Sequence, residues 1–330
     1  MTKPLPIRFS GTGAYLPKHV LTNQHFIDHL DTSDEWIVSR TGIRERRRAA
    51  KDETTSTLAL HAARRALKDA DMNAEEIDLI VVATATGDCP FPSTAAFVQD
   101  ALGARQVPSF DVSAACSGFL HATSVAASML VAGPYEHAMV IGAETLTRFV
   151  DPEDRTIAVL MGDGAGAAVL SKTLNPQQSI LHAALGCDGS RAKHIWVPAG
   201  GSLLPASANT VAERLHYMKM RGRDVYKFAV VKMQQIIDEA LKATNLTAND
   251  LKLVIPHQSN LRIIESVRQR MGLPEDKIAV NIVRYGNTSA ASIPVALDEA
   301  RHDGTLTEGD HVLMVAIGAG LTWATMVVRL

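Results

Sequence analysis

The sequence predicts an α/β fold made of two copies of one unit, on three observations. Segments recur at a single offset of 174 residues, apolar strand-like runs alternate with helical periodicity, and those runs are continuously apolar. Ala66-Leu67-Lys68 recurs as Ala240-Leu241-Lys242, Ile77-Asp-Leu-Ile-Val81 as Leu251-Lys-Leu-Val-Ile255, and His137-Ala-Met-Val-Ile141 as His311-Val-Leu-Met-Val315. Chance produces one such match; three at one offset argue for duplication. Strand–helix alternation in each copy means helices flanking sheets. Continuously apolar strands mean sheets covered on both faces.

The elements follow in order. A helix from Leu58 to Ala70 puts Ala59, Ala62, Ala63, Ala66 and Leu67 on one face, at helical spacing. Phe110 and Val112 end a strand, and Gly118 to Leu130 reads as an apolar helix. Gly162-Asp-Gly-Ala-Gly-Ala167 fits G-x-G-x-x-A, but the strand-like Ala168-Val-Leu follows it. No helix N-terminus is there to hold phosphate, so the run is read as tight backbone packing between strands. The boundary between the copies falls between Ser171 and Ser179, at Asn175-Pro-Gln-Gln, dividing the chain into 1–174 and 175–330. Pro198 to Asn209 is a long loop. Val230 to Ala243 repeats the first helix, with Met233, Ile236, Ile237, Ala240 and Leu241 inward. The strand at Leu251–Ile255 is followed by an amphipathic helix, and the segment from Ile278 reads as a strand that leads to a strand-to-helix junction at Asn287.

Composition narrows the function. The chain has 330 residues, 46% hydrophobic and 21% charged, enough for two domains with ordinary cores. A net charge of -2 gives no bulk attraction for nucleic acid. The N-terminal residues lack the apolar core of a secretory signal, and no apolar run is expected to approach membrane-spanning length. Three cysteines, at 89, 116 and 187, have neither metal spacing nor a paired framework. That suits a reducing, cytoplasmic setting and predicts no metal site. Arg44-Glu-Arg-Arg-Arg48 is expected to be a solvated charge run.

Three junctions carry candidate chemistry. Cys116 lies at the elbow between the strand ending near Val112 and the helix from Gly118. The positive end of that helix is expected to favour the thiolate, the form that attacks thioesters and peptides. His257 follows the strand at Leu251–Ile255, and Asn287 sits at another junction. Strand ends form the ligand crevice of open α/β sheets.

At these motifs the chain resembles β-ketoacyl-acyl-carrier-protein synthase III, a condensing enzyme of the thiolase superfamily. The resemblance runs from Gly11 to Leu330. It includes Asp31-Thr-Ser-Asp-Glu-Trp-Ile-Val-Ser-Arg-Thr-Gly-Ile-Arg-Glu-Arg46, Asp111-Val-Ser-Ala-Ala-Cys-Ser-Gly118, Gly162-Asp-Gly-Ala-Gly-Ala-Ala168, Pro256-His-Gln-Ser-Asn-Leu-Arg262 and Gly286-Asn-Thr-Ser-Ala-Ala-Ser292. It implies a thiolase-like fold, two duplicated α/β halves in a layered αβαβα sandwich, with Cys116 in the first half and His257 and Asn287 in the second. It implies a Claisen condensation that starts fatty-acid synthesis. Cys116 takes the acyl group of an acyl-coenzyme A primer, malonyl-acyl carrier protein loses carbon dioxide, and its carbanion equivalent attacks the acyl-cysteine. Donors from His257 and Asn287 would stabilise the enolate, and the backbone N–H groups of Cys116 and Ala319 would form an oxyanion hole. The resemblance places Trp36, Arg40, Arg155 and Asn260 on coenzyme A, the thioester substrate, with no permanently bound cofactor. It places Phe91, Ile317 and Met161 at the acyl pocket, Phe91 reaching across a homodimer interface. Gln258, Ser259, Asn260, Leu261 and Arg262 would dock the acidic carrier protein, with Lys227 and Arg268 adding positive charge.

The sequence departs from the family at several points. Ala316-Ile-Gly-Ala-Gly-Leu-Thr-Trp323 has Ile317 where an aromatic is usual and Ala319 where glycine is usual. Alanine keeps the N–H but restricts φ. Met161 replaces a common phenylalanine, and Ser259 a common alanine. These changes bear on primer size and rate. A second reading of the same residues is a thiolase-fold acyltransferase that passes the acyl group from Cys116 to an alcohol or amine. A papain-like hydrolase shares the order Cys, His, Asn, but the duplication and the sequence around Cys116 argue against it.

Overall fold

The computed structural model describes residues 4–175 and 177–330. Residues 1–3, at the N-terminus, and Pro176, within the expected boundary, lie outside the described residues.

Two sheets form the frame. The first has five strands in the order Ile7–Tyr15, Asp163–Lys172, His137–Thr145, Leu79–Ala83, Ser109–Val112. The second has four, in the order Ser179–Cys187, Thr322–Arg329, His311–Gly318, Leu253–Pro256. The two orders correspond strand for strand: the offset of 174, to within two residues, relates Ile7–Tyr15 to Ser179–Cys187, His137–Thr145 to His311–Gly318 and Leu79–Ala83 to Leu253–Pro256, while Thr322–Arg329 follows Asp163–Lys172 at a shorter spacing. The missing fifth position of the second sheet survives as a parallel bridge between Val254 and Ile278. The segment after Ile278 therefore departs from the expected strand: it forms a short helix, Ile282–Tyr285. The Gln258 carboxamide oxygen accepts the backbone N–H groups of Asn281 and Ile282, so those donors are not free for a ladder.

Leu79–Ala83 runs parallel to both its neighbours and is buried at every position. Its continuous apolar sequence follows from that double coverage. The helix Thr55–Asp69 begins at a capping box on Thr54 and lays its alanine face, Ala59, Ala62, Ala63 and Ala66, on the outer side of the first sheet. Gly222–Thr244 and Leu261–Met271 cover the outer side of the second sheet with Met233, Ile236, Ile237 and Ile264. Gly118–Ala132 and Ser292–His302 lie between the sheets, where Phe119, Leu120, Ala126, Ile293 and Leu297 share one core with both. The result is the layered αβαβα sandwich.

Two expectations need correction. The stretch Ala115–Ala132 is long and apolar enough to span a membrane by composition. Half of it is buried in the fold, as the central helix. It is apolar because it packs against both sheets. The run Arg44 to Arg48 is not uniformly solvated. Glu45–Arg48 is a strand paired with His19–Thr22, so its side chains alternate. Arg44 and Arg48 are exposed, but Arg46 is fully buried. Its guanidinium donates to Leu21 O (3.2 Å), Asn23 Oδ1 (2.8 Å) and Val159 O (2.6 Å) and stacks 4.6 Å from the Phe26 ring. Burial lowers its pKa to about 10.

Asp163–Lys172 contains the glycine run, and no phosphate loop forms. A Cβ on Gly162 would lie 2.2 Å from Tyr285 O, so the run packs backbone against backbone, as expected.

Candidate active site

A cavity of about 550 Å³ opens between the ends of the two sheets. Cys116, His257, Asn287, Ile317 and Ala319 all line it. Cys116, His257, Asn287 and Ala319 arrive on segments that follow a core strand or precede a core helix, and Ile317 lies in the strand His311–Gly318.

Cys116 stands in the single turn Ala115–Ser117 that leads into the central helix. Ala115 takes a left-handed φ of +46°, which turns the chain sharply from strand to helix. The Ser117 hydroxyl, 2.9 Å from Ala114 O and 2.8 Å from Thr322 Oγ1, ties this elbow to the strand Thr322–Arg329. Gly318 has no room for a side chain there: a Cβ would lie 2.7 Å from Ala114 O and 2.9 Å from Cys116 N. The thiol itself does not follow the expected drop in pKa. Burial pushes it up to about 12, and the nearby Glu144 carboxylate adds to the rise. Desolvation disfavours the anion.

His257 follows the strand Leu253–Pro256 and is almost fully buried. Burial lowers its pKa to about 3, so the imidazole is neutral at physiological pH. Ser292 Oγ accepts the Gln258 N–H (3.4 Å) and lies 2.7 Å from His257 Nδ1. A serine proton turned to Nδ1 makes Nδ1 the acceptor of that bond. The ring proton then sits on Nε2, as a donor facing the cavity.

Asn287 is pinned by its backbone: its N–H donates to Leu160 O (2.8 Å), and its carbonyl accepts the Gly162 N–H (2.9 Å). Its side-chain oxygen accepts the Ser289 N–H at 2.9 Å. That bond fixes the amide so that the NH₂ end is the one left for the cavity. A neutral N–H and an amide NH₂ thus share a pocket with a thiol. Such a set can donate to a developing oxyanion without taking a proton from it.

The comparisons with known proteins agree with this arrangement. The family model described as 3-Oxoacyl-[acyl-carrier-protein (ACP)] synthase III matches residues 110–189, and the model of its C-terminal region matches residues 241–330. Beta-ketoacyl-[acyl-carrier-protein] synthase III of Caldanaerobacter subterraneus subsp. tengcongensis is 49% identical over 97% of this chain and 96% of that protein. The protein of the same name from Clostridioides difficile is also 49% identical, over 97% of each chain. The crystal structure of 3-oxoacyl-[acyl-carrier-protein] synthase III from Aquifex aeolicus superposes with a TM-score of 0.90 at 44% identity, covering 98% of this chain and all of that one. This chain belongs to the β-ketoacyl-[acyl-carrier-protein] synthase III family.

It is thus an acyl-transferring condensing enzyme with the thiolase-like fold. Around the mouth of the cavity, Trp36 lies between two guanidiniums, Arg155 at 5.2 Å and Arg40 at 5.9 Å from its ring. Arg155 is also held to Asp31, with Nη1 3.2 Å from Oδ2. The Asn260 side chain donates to Arg40 O (2.9 Å), accepts the Arg262 N–H (2.9 Å) and so caps the helix Leu261–Met271. Trp36, Arg40, Asn260 and Ser259 line the cavity with the central residues; Arg155 does not. Met161 and Ile317 are buried in its apolar wall. Ala319 is not among the residues with positive φ, so its backbone needs no glycine.

Other candidates stand apart. Phe91 is 85% exposed and takes no part in this chain's own cavity. Gln258 cannot meet a partner protein: it is fully buried, donating to Pro256 O and Ala279 O. Its role is to hold the segment before Asn287 against the segment of His257. Leu261 is half-buried, Arg262 and Lys227 are exposed, and Arg268 is engaged by Glu265 at 2.9 Å.

Three residues escaped the reading of the sequence. Ser292 lies on His257 Nδ1, the Ser289 N–H orients Asn287, and Glu144 is a fully buried carboxyl that accepts the Ser289 hydroxyl. Glu144 did leave a signal, a lone charge at the end of the apolar run Ala138–Ala143. The serines left none, because serine is common at turns.

Proposed function

We propose that Cys116 is the nucleophile of a two-stage condensation, with His257 and Asn287 as the donors of its second stage. Cys116 attacks an acyl-coenzyme A thioester, coenzyme A leaves, and the sulfur holds the acyl group. Malonyl-acyl carrier protein then loses carbon dioxide. Negative charge develops on its thioester oxygen, where His257 Nε2–H and the Asn287 NH₂ stabilise it. The carbanion equivalent attacks the acyl-cysteine, and a β-ketoacyl-carrier protein leaves. Each aimed donor is worth on the order of 3 kcal/mol. The tetrahedral oxyanion is assigned to the Cys116 and Ala319 N–H groups.

The observation that carries this reading is that a buried His257 and an Asn287 amide whose oxygen is already engaged line the same cavity as Cys116. Two aimed N–H donors suit an enolate, whose charge they can stabilise without taking a proton from it. The Trp36–Arg40–Arg155 group suits an adenine ring and its phosphates, through stacking and guanidinium pairing. Asn260 would meet the pantetheine arm.

Arg262 and Lys227, both exposed, are the charges we assign to carrier-protein docking, and Leu261 and Ser259 flank them. Phe91 is assigned to the acyl pocket of a second copy in a homodimer, consistent with its exposure here. Free Cys89 and Cys187, both exposed, fit a reducing cytoplasm.

The test is intact mass after mixing with a panel of acyl-coenzyme A thioesters, followed by malonyl-acyl carrier protein. The expected result is an adduct on Cys116 that departs as a β-ketoacyl-carrier protein. Discharge by an alcohol or amine instead would make the enzyme an acyltransferase of another kind. No adduct with any thioester would overturn the role of Cys116.

A further inference from the structure

Met161 lines two cavities. One is the reaction cavity that holds Cys116. The other, about 340 Å³, lies on the opposite side of the segment Ile157–Met161. Val159 and Leu160 line the first, Ala158 lines the second, and Met161, alone among the described residues, lines both. The turn Leu146–Arg148 is divided in the same way: Leu146 faces the first cavity, Thr147 and Arg148 the second. The partition itself is apolar, for Leu146, Val150, Ile157, Met161 and Met218 pack as one buried cluster.

The backbone of Met161 is fixed and its side chain is not. Met161 forms a parallel bridge with Asn287. On either side of it, Leu160 O accepts the Asn287 N–H at 2.8 Å and the Gly162 N–H donates to Asn287 O at 2.9 Å. The side chain is unbranched, with rotatable bonds and a polarizable sulfur, so it can turn aside in place. The phenylalanine common at this position in the family is a flat, rigid ring and would close the passage. Behind Met161 the walls are apolar. They are Leu21 of the strand His19–Thr22, Phe26 of the helix Asn23–Ile27, Val150 and Ala158, all buried. The rim is polar, with His25, His29, Arg48 and Arg148 exposed. A separate apolar ligand would have to cross that charged rim to reach the floor. A hydrocarbon tail held on Cys116 arrives from the apolar side.

We propose that this enzyme takes long, unbranched acyl thioesters, whose tails turn Met161 aside and occupy the second cavity. The inference rests on the acylation of Cys116 proposed above, and it names the class of primer. A methylene fills about the volume of a water, roughly 30 Å³, so the second cavity has room for about ten of them. Each methylene buried there is worth about fourfold in affinity. A long primer is therefore favoured until its end reaches the rim, and further carbons lie in water and add nothing. Met161 decides chain length without touching the reacting atoms.

The experiment is the rate of adduct formation on Cys116, read by intact mass, with acetyl-, octanoyl- and tetradecanoyl-coenzyme A below their micelle concentrations. It compares the wild type with Met161→Phe and Val150→Phe. Cys89 and Cys187 are replaced by serine throughout, so that one sulfur reports. Acetyl addition tests the acylation reading, and the ratios between chain lengths test the inference, so the two failures are distinct. In the wild type, tetradecanoyl should react at least as fast as octanoyl. Met161→Phe, which puts a rigid ring in the passage, should lower the tetradecanoyl-to-acetyl ratio at least tenfold. Val150→Phe, which fills the second cavity from its own wall, should lower the tetradecanoyl-to-octanoyl ratio by a similar factor. A merely structural effect would slow all lengths alike and leave these ratios unchanged. Met161→Phe serves alone if Val150→Phe does not fold. A wild-type rate slower for tetradecanoyl than for octanoyl, or unchanged ratios in the folded variants, overturns the inference. No acetyl adduct in the wild type would overturn the acylation reading and the inference with it.

Discussion

Ala115 and Ser289 are equivalent residues of the two halves, 174 positions apart, and both adopt left-handed backbone at φ +46° and +47°. The next residues are Cys116 and Ala290. One elbow thus serves twice, first to present a nucleophile and then to carry the serine that braces Asn287. The repeat places both on the same central layer, each just ahead of a buried helix. Duplication of the fold is what brings them together.

This conformation predicts a graded response at Ala115. Left-handed φ costs a non-glycine residue about 1 kcal/mol, so Ala115→Gly should stabilise the fold by up to about that amount in urea unfolding. Ala115→Val, β-branched and at the same φ, should lose about 2 kcal/mol. It should also slow acylation of Cys116 at least tenfold, read by the rate of adduct formation.

Periodicity and repetition carried most of the architecture into view. The offset of 174 held for three of the paired strands, for the helices Thr55–Asp69 and Gly118–Ala132 and for the elbow itself, because both copies solve the same packing problem. Cys116, His257 and Asn287 were visible as junction residues, and they do share a cavity. What stayed hidden depended on partners distant in sequence. Arg46 looked like one charge among several until its pairing with the strand His19–Thr22 turned it inward. Gln258 looked like a surface residue because glutamine usually is one. The pKa of Cys116 was misjudged for a similar reason: a helix end is visible in sequence, whereas desolvation depends on what closes over the site.

The neutral His257 makes a pH prediction. Its folded pKa, about 3, lies below the ordinary value of 6.5, so the unfolded chain binds the extra proton between those pH values. Stability should rise with pH from 3 to about 6.5 through this residue and stay level above. His257→Gln should remove that part of the slope in urea titrations. Decarboxylation of malonyl-carrier protein should show no histidine titration between pH 5 and 8.

Ser292 gives a separate test of how His257 is held. Ser292→Ala removes the partner of Nδ1 and frees the ring to adopt the other tautomer. Carbon dioxide release should fall about tenfold, less than the 10²- to 10³-fold expected for His257→Ala. Acylation of Cys116 should keep its wild-type rate in both.

Arg46 predicts a stability effect remote from the chemistry. Arg46→Met would leave Leu21 O, Val159 O and Asn23 Oδ1 buried without their donor. Loss of hydrogen bonds to a charged group, with acceptors stranded, should cost about 3 kcal/mol in urea unfolding. Arg46→Lys should recover little of it, since one ammonium cannot reach three acceptors in the plane of a guanidinium.

Ile317 and Met161 set the expected range of primers. Both are buried in the cavity wall, and neither fills the space of a phenyl ring. Ile317→Phe would extend an aromatic ring from the strand His311–Gly318 into the space before Cys116. Excluding even a small part of an acyl chain is worth about 1–3 kcal/mol. The ratio of kcat/KM for an eight-carbon primer to that for acetyl-coenzyme A should therefore fall at least tenfold, read by adduct formation with each thioester. An unchanged ratio would mean that the acyl chain leaves Cys116 in another direction, away from the wall that Ile317 forms.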